Sequence, residues 1–488
     1  MRLQQLLTNA GIENNNYSDC EIKDIITDSR KAVKDTAFVC IVGFKSDGHD
    51  FAREAYDAGV RVFFAQRELG FDDATVIICD DTSIILAKLS YAFFGNPAEK
   101  IKLIGVTGTK GKTTVTSLIY TALNKNGKRA GLIGTVGIFY NNEYVYIPNT
   151  TPDSYTLNKY LAKMAEAGVE YAVMEVSSQA YLNQRVYGLT FDVGVFTNIS
   201  PDHIGPGESD SFEHYLSLKQ MLIKNSKAAF INRDDEHYQD FAKCAKGELF
   251  DFSCEKDAKY TAENFSMWKD DTSFGITFDV CADKQKYNIK THLPGKYNMS
   301  NMLCVFAVCD KLGIERKKIA KAISEGVVPG RFEVIKSFSV CPIIIDYAHN
   351  EVSLESLLKT VREYNPERLV VLFGCVGGKS KMRRAAMAHV VNRFADFAII
   401  TSDNPDFENP DDIISDIVSE INTDMCKYKA IADRREAIIW AMENARRGDI
   451  LLLAGKGHED YQLICGEKVP FSERDIIEET IKLLPVNG

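Results

Sequence analysis

A three-domain α/β protein is what the sequence predicts, and three observations predict it. The chain has 488 residues, too many for one core when domains run to roughly 100–200 residues. Short apolar runs alternate with helical stretches along nearly its whole length, the pattern of βα units. Gly and Pro punctuate that pattern at Phe94-Gly-Asn-Pro97 and at Pro329-Gly330-Arg331. The expected organisation is a small N-terminal α/β domain (1–98), a central doubly wound domain (99–330) and a C-terminal Rossmann-like α/β domain (331–488).

In the first domain the apolar runs Thr36–Val42, Arg61–Ala65 and Thr75–Cys79 are expected as strands around a helical stretch at Phe51–Ala58. The second opens with a buried strand, Lys102–Thr107, a Gly-rich turn and a helix through Lys125. Ala172–Val176 and Val193–Thr197 are further strands, each followed by polar residues where a parallel sheet carries its functional loops. Between Phe230 and Tyr297 the pattern shortens and alternates (FGITFDV, KYNIKTHL), which predicts grafted β-hairpins ahead of a helix at Met299–Leu312. In the third domain Pro342–Asp346, Arg368–Phe373, Phe397–Thr401 and Ile450–Ala454 form a second open sheet.

Composition narrows the function. Hydrophobic residues at 45% and charged ones at 26% fit an ordinary globular protein. A net charge of −10 argues against a general polyanion binder, so nucleic acid is not an expected partner. The 12 cysteines show no CxxC pair or repeated spacing, which suggests buried thiols in a reducing compartment rather than a zinc site or disulfide framework. There is no signal-peptide pattern and no apolar stretch of about 18 residues. The expectation is a cytoplasmic monomer without a membrane segment.

The segment Gly105-Val-Thr-Gly-Thr-Lys-Gly-Lys-Thr-Thr-Val115 lies between a strand and a helix, the setting of a phosphate-binding loop. Backbone N–H groups and the helix N-terminus would cradle phosphates, Lys112 would reach the β/γ oxygens, and the Thr113 hydroxyl would contact Mg²⁺. Val106 stands where the common GxxxxGK[ST] form has its first glycine, so the loop is the shorter GTKGKTT.

This loop closely resembles the nucleotide loop of the Mur ligases and their folylpolyglutamate synthetase relatives. The other quoted segments agree: Met174-Glu-Val-Ser-Ser178, Thr197-Asn-Ile-Ser-Pro-Asp-His203 and Ile345-Asp-Tyr-Ala-His-Asn350. Thr27-Asp-Ser-Arg30, Asp47-Gly-His-Asp-Phe51 and Leu453-Ala-Gly-Lys-Gly-His-Glu-Asp-Tyr-Gln462 resemble the tripeptide-forming branch, and the folate-type relatives lack such an N-terminal domain. The resemblance implies an ATP- and Mg²⁺-dependent ligase of peptidoglycan precursor synthesis. Its partners would be UDP-N-acetylmuramoyl-L-alanyl-D-glutamate, activated as an acyl phosphate, and a free amino acid.

The resemblance also assigns residues. Gly108, Thr109, Lys110, Gly111, Lys112, Thr113 and Thr114 would bind ATP, with Asn298, Asn301, Arg331, Asp346 and His349 toward base and ribose. Thr113, Glu175, His203 and a carbamylated Lys219 would hold magnesium, and Lys112, Lys219 and His203 would serve catalysis. Read alone, Glu175 is a turn residue after a strand, His203 a structural histidine, Lys219 an exposed helix cation and Arg331 a helix-end cap. Carbamylation makes electrostatic sense, because it turns an ammonium that repels Mg²⁺ into an anion that binds it. Ser29, Asp47, Gly48, Thr150, Thr151, Ser177 and Arg185 would hold the UDP-sugar peptide.

For the incoming amino acid the resemblance implicates Arg384, Asp403, Asn404, Asp406, Gly455 and Glu459. Diaminopimelate-adding members carry a DNPR motif, whose arginine pairs with the distal carboxylate. Here the segment is Asp403-Asn-Pro-Asp406, and Gly377-Gly-Lys-Ser380 stands where those enzymes carry GDRD. Asn198-Ile-Ser-Pro-Asp-His-Ile-Gly205 is similar to lysine-adding members. The expectation is L-lysine, with meso-diaminopimelate or ornithine as alternatives; Asp406 could also merely cap a turn. Two rivals are a folate-type ligase and a P-loop switch, although no NKxD base-recognition motif is present.

Overall fold

A computed structural model describes residues 1–13, 17–201, 205 and 208–484. They form two compact units, residues 1–261 with 303–315, and residues 262–302 with 316–488.

The first unit begins with a parallel sheet of β1 (Asp24–Ile26), β2 (Thr36–Val39), β3 (Val62–Ala65) and β4 (Thr75–Ile78), in that order. Every residue of β2 and β3 is buried, as strands covered on both faces require. Leu3, Leu6 and Leu7 of the helix Leu3–Asn9 pack with Leu86 and Leu89 of the helix Thr82–Phe93 in one core, while Ala52 and Ala55 belong to another. The Asp81 carboxylate accepts from the Ser83 and Ile84 N–H groups and so fixes where the helix Thr82–Phe93 starts.

Next come β5 (Lys102–Thr107), β6 (Ala130–Gly134), β7 (Gly137–Tyr140), β8 (Glu143–Val145), β9 (Tyr171–Glu175), β10 (Phe191–Phe196), β11 (Ser226–Asn232) and β12 (Glu248–Ser253). They lie in the order β12-β11-β10-β5-β9-β6-β7-β8. From β12 to β6 all neighbours are parallel, and β7 and β8 return antiparallel. This corrects the hairpin expectation for the segment after Phe230, since β11 and β12 extend the parallel sheet. The alternation seen there corresponds to a hairpin at β14 (Phe274–Ala282) and β15 (Gln285–Thr291), an antiparallel pair in the second unit. Ahead of them in sequence, β13 (Tyr260–Lys269) pairs Tyr260 and Thr261 with β12.

The second unit holds β16 (Glu333–Ile335), β17 (Ile343–Asp346), β18 (Arg368–Phe373), β19 (Phe397–Ile400), β20 (Lys427–Ala430) and β21 (Asp449–Ala454), ordered β16-β17-β21-β18-β19-β20. All pairs but β16–β17 are parallel. A hairpin of β22 (Tyr461–Ile464) and β23 (Glu467–Pro470) follows, absent from the sequence reading. Cys465 and Gly466, both at positive φ, turn it. Cys40, Cys304, Cys309, Cys341, Cys375 and Cys426 are buried free thiols as expected, but Cys465 is exposed. Among the described residues no helix is long and apolar enough to cross a membrane.

One buried ion pair braces this second sheet. Arg434 opens the helix Arg434–Glu443 and Glu473 opens the helix Glu473–Leu483, and both side chains are within 1% of full burial. The guanidinium donates to Glu473 Oε1 through Nε (2.9 Å) and Nη2 (2.8 Å), to Ser402 O (3.1 Å) and to Ala454 O (2.9 Å). It therefore ties the chain after β19 to the end of β21. Replacing Arg434 with Met strands the Glu473 carboxylate. We expect a loss of about 3–5 kcal/mol, read as a fall in the urea midpoint of the second unit; an unchanged midpoint contradicts the bracing role.

Candidate active site

The phosphate loop sits at the end of β5, where the parallel neighbours β9 and β10 also end. Register pairs Val106 with Glu175 and Thr107 with Phe196, so Glu175 and the Thr197-Asn198 segment flank the loop. Gly108 has φ +151, and a Cβ there would collide with the Thr197 hydroxyl. Only glycine lets the chain pass so close. The loop is sewn to its neighbour: Thr109 N–H donates to Asn198 O (2.8 Å), Lys110 N–H to Asn198 Oδ1 (3.0 Å), and Thr197 Oγ1 to Lys110 O (2.8 Å). Gly111, at φ +86, caps the helix Lys112–Lys125.

Two ammonium groups converge on one carbonyl. Lys112 Nζ donates to Gly108 O (2.8 Å) and Thr109 O (3.1 Å), and Lys219 Nζ donates to Gly108 O (2.8 Å). Lys219 is 2% exposed and lies 4.5 Å from the Tyr215 ring centroid, with the Tyr215 hydroxyl 3.1 Å from Thr109 Oγ1. The plain expectation of an exposed helix cation is thus overturned, because the helix Phe212–Lys224 turns Lys219 inward with Tyr215, Leu218 and Leu222.

Glu175, 1% exposed, is no solvated turn residue either. Its Oε2 accepts from Thr113 Oγ1 (3.1 Å) and Thr135 Oγ1 (3.2 Å), and its Oε1 from Thr135 N–H (2.8 Å). A Cβ on Gly134 would strike Glu175 Oε1. A carboxylate and a hydroxyl beside a helix N-terminus are the hard oxygen donors magnesium takes, so Thr113 and Glu175 fit the implied ion. His203 lies outside the described residues.

Thr150, Thr151, Ser177 and Arg185 are gathered beside Glu175. Thr150 Oγ1 is 3.1 Å from Thr135 Oγ1, Thr151 Oγ1 donates to Glu175 O (2.8 Å), Ser177 N–H donates to Thr151 Oγ1 (3.1 Å), and Arg185 Nη1 donates to Thr151 O (2.8 Å). Thr135 was missed by sequence reasoning, since a lone threonine after a glycine carries no motif. Ser29 and Asp47 lie in short 3-10 turns of the N-terminal region, Ser29 opening Ser29–Lys31 and Asp47 capping Gly48–Phe51. Ser29 Oγ donates to Glu54 (2.8 Å), and a Cβ on Gly48 would lie 2.6 Å from Ile41 N. Asp47 accepts from His49 N–H (2.9 Å), meets His49 Nδ1 (2.5 Å) and pairs with Arg67 (2.9 Å).

In the second unit Asn298 Nδ2 donates to Pro294 O (2.7 Å) and Asn301 Nδ2 to Asn298 Oδ1 (3.1 Å). The Asp346 carboxylate accepts from Phe332 N–H (2.7 Å) and Ala348 N–H (2.8 Å); burial pushes its carboxyl up, against the pull of Arg331. Arg331 lies 5.0 Å from the Tyr347 ring centroid, and its buried Nε lacks an acceptor. His349 Nδ1 is 2.8 Å from Tyr347 O, and burial pulls its imidazole below the usual range.

The residues implicated in amino-acid binding cluster where β19 and β21 end. Asn404 Nδ2 donates to Glu459 Oε2 (3.0 Å), and a Cβ on Gly455 would lie 2.7 Å from Asp403 Oδ2. Arg384 is held by two carboxylates. Its Nη1 and Nη2 pair with Asp416 (2.7 Å) and Glu408 (2.6 Å), leaving a buried Nε without an acceptor. Asp406 is likewise engaged: at φ +53, its N–H donates to Leu463 O (2.9 Å) and its Oδ1 accepts from Gly466 N–H (2.8 Å). It ties the Asp403–Asp406 segment to the hairpin β22–β23 rather than to the turn before Asn409-Pro410.

Two outcomes follow. Lys112→Ala should lower turnover at least ~100-fold, since a preorganised donor is worth roughly 3 kcal/mol at a developing charge; near-normal turnover contradicts the loop's role. Asp47 is held down at about 2, chiefly by the His49 N–H and then by the His49 ring and Arg67. A depressed carboxyl stabilises above its ordinary value and loses that contribution as pH falls. Urea midpoints of wild type and Asp47→Asn should therefore differ at pH 6 and converge between about 4 and about 2.

Family models match along the chain: "Mur ligase family, catalytic domain" at residues 21–88, "Mur ligase middle domain" at 106–309 and "Mur ligase, glutamate ligase domain" at 330–457. A UDP-N-acetylmuramoyl-L-alanyl-D-glutamate–2,6-diaminopimelate ligase from Clostridium botulinum is 39% identical over 95% of both chains. Its counterpart from Geobacillus kaustophilus is 37% identical over 93% of this chain and 94% of its own. A solved structure with that activity in its name aligns at TM-score 0.67 and 26% identity over 98% of this chain and 99% of that one. A folylpolyglutamate synthase from Mycobacterium tuberculosis, at 16% identity and TM-score 0.59, shares the fold over 76% of this chain and 92% of its own. With models matching in all three regions and relatives this similar over nearly the full length, the chain belongs to the Mur ligase family.

Proposed function

We propose that this ATP- and magnesium-dependent Mur ligase joins the third amino acid to UDP-N-acetylmuramoyl-L-alanyl-D-glutamate, and that the amino acid is meso-diaminopimelate. The observation that carries the reading is the likeness to diaminopimelate-adding ligases over 95% of both chains. Domain limits at 98/99 and 330/331 accompany it.

In chemical terms a carboxylate must lose an oxygen to become an amide. ATP phosphorylates the terminal D-glutamate side-chain carboxylate, giving an acyl phosphate and ADP; the amine then attacks the acyl carbon, the C–O bond to phosphate breaks, and a proton leaves the nitrogen. Such steps depend on positioning and charge neutralisation. Lys112 and the loop N–H groups supply both for the phosphates. Thr113 and Glu175 would hold Mg²⁺, which spreads phosphate charge; we propose His203 and a carbamylated Lys219 for the same ion set. Thr150, Thr151, Ser177 and Arg185 are proposed for the UDP-sugar peptide together with Ser29, Asp47 and Gly48. Asn298, Asn301, Arg331, Asp346 and His349 are proposed for base and ribose.

L-Lysine is the second reading, favoured by Asp406 in place of the DNPR arginine. That argument weakens once Asp406 Oδ1 is seen to accept from Gly466 N–H, because a carboxylate engaged in a turn is less free to select an ammonium. Product mass spectrometry and kcat/KM with both amino acids decide. We expect meso-diaminopimelate to be preferred by at least ~10-fold, as one well-placed pocket contact gives. A lysine preference that disappears in Asp406→Arg would establish the second reading instead.

A further inference from the structure

Lys456 is fully buried, yet the reaction above assigns it nothing. It follows β21 between two left-handed glycines, Gly455 (φ +116) and Gly457 (φ +55). Side chains at these glycines would run into Asp403 Oδ2 and into Tyr347, both at 2.7 Å. The backbone thus turns in a way only glycines allow, and it carries the lysine inward. Lysine is almost never fully buried unless paired, so its partners matter. Nζ donates to Asn404 Oδ1 (2.8 Å) and Glu459 Oε2 (2.7 Å) and lies 4.0 Å from Asp403 Oδ1, with the Tyr461 ring centroid at 5.1 Å.

These bonds fix more than charge. The oxygen and nitrogen of an asparagine amide are nearly the same size, and only partners decide which way it points. Asn404 Oδ1 accepts from both Lys456 Nζ and Leu463 N–H (2.9 Å), which forces Nδ2 toward Glu459. Burial pushes the Glu459 carboxyl up, but Lys456, with hydrogen bonds from Lys456, Asn404 and the Tyr347 hydroxyl, outweighs it and holds Glu459 below the usual range. Asn404 and Glu459 are among the groups that the family resemblance implicates for the incoming amino acid.

We infer that Lys456 is a positioning residue for amino-acid binding, which sets Asn404 and Glu459 in one fixed relation through its ammonium bridge. The inference rests on the proposed ligase function and on the amino-acid-binding role that the resemblance implies for Asn404 and Glu459. Without the bridge the Asn404 amide keeps only the Leu463 N–H on its oxygen, and Glu459 and Asp403 lose the ammonium they share. Nothing in that change touches the phosphate loop. A purely structural counter-ion would instead lower stability and leave the Michaelis constants alone.

The test uses the full-length enzyme with ATP, the UDP-dipeptide and the amino acid that wild type is first shown to use. Lys456→Met should raise the KM for the amino acid at least 10-fold, while the KM for ATP and for the UDP-dipeptide stays within twofold. On a Glu459→Gln background the same change should add less than twofold, because Lys456 acts through that carboxylate. Should the Met variant not fold, Lys456→Arg carries the test: its planar fork keeps the charge but cannot place one donor between Oδ1 and Oε2, and the same selective rise is expected. An unchanged amino-acid KM, or equal rises for all three substrates, overturns the inference. A wild type that uses an amino acid other than diaminopimelate refutes the proposed function without deciding Lys456, whose selective effect is read with whichever amino acid is used.

Discussion

Parallel registration of β9, β5 and β10 is the constraint on which the phosphate site depends. Because Val106 lies opposite Glu175 and Thr107 opposite Phe196, three strand ends deliver Glu175, Gly108 and Thr197 to one edge. Side chains alternate along a strand, so a slip of one residue would turn Glu175 away from Thr113 and Thr135. The glycine at position 108 follows from the same closeness, as does Gly134 behind the Glu175 carboxylate. What the sheet brings together the loop then fixes, through the Thr109, Lys110 and Thr197 hydrogen bonds.

The second unit repeats the same strand-end geometry. β17, β21, β18 and β19 run parallel, and their ends carry Tyr347, Gly455-Lys456 and Asp403-Asn404. Open α/β sheets bind ligands beyond the carboxyl ends of their strands. Here that edge is charged and buried, with Lys456 and Arg434 set among Asp403, Glu459 and Glu473. Such burial is tolerable only because almost every polar atom has a partner. The arrangement spends cations on neighbouring carboxylates: Arg384 goes to Glu408 and Asp416, Arg434 to Glu473. Candidate binding groups are therefore held in place before any substrate arrives.

Residue type proved a poor guide wherever partners were distant in sequence. Lys219 alone is an ordinary helix cation, yet its carbonyl partner lies 111 residues away in Gly108. Asp406 alone is a charge that could select a substrate, yet it caps a hairpin 60 residues on. β22–β23 escaped notice because its strands are short and its outer strand is fully exposed, so no apolar period marks it. The run at Glu248–Ser253 falls in the segment after Phe230 expected to form hairpins, because local alternation does not say whether the neighbouring strand is parallel.

Legible in the residues alone were the α/β class, the strands at Lys102–Thr107 and Arg368–Phe373, and the phosphate loop with Lys112 and Thr113. Those features are written in contiguous residues: an apolar run for a buried strand, glycines for a tight turn, lysine and threonine in register with a helix start. Tertiary structure alone decided that Thr135 supports Glu175, that Lys219 shares a carbonyl with Lys112, and that Lys456 bridges Asn404 and Glu459. The physical reason is that a hydrogen bond or an ion pair depends on distance in space, and strand pairing sets that distance between segments whose separation in sequence carries no trace of it.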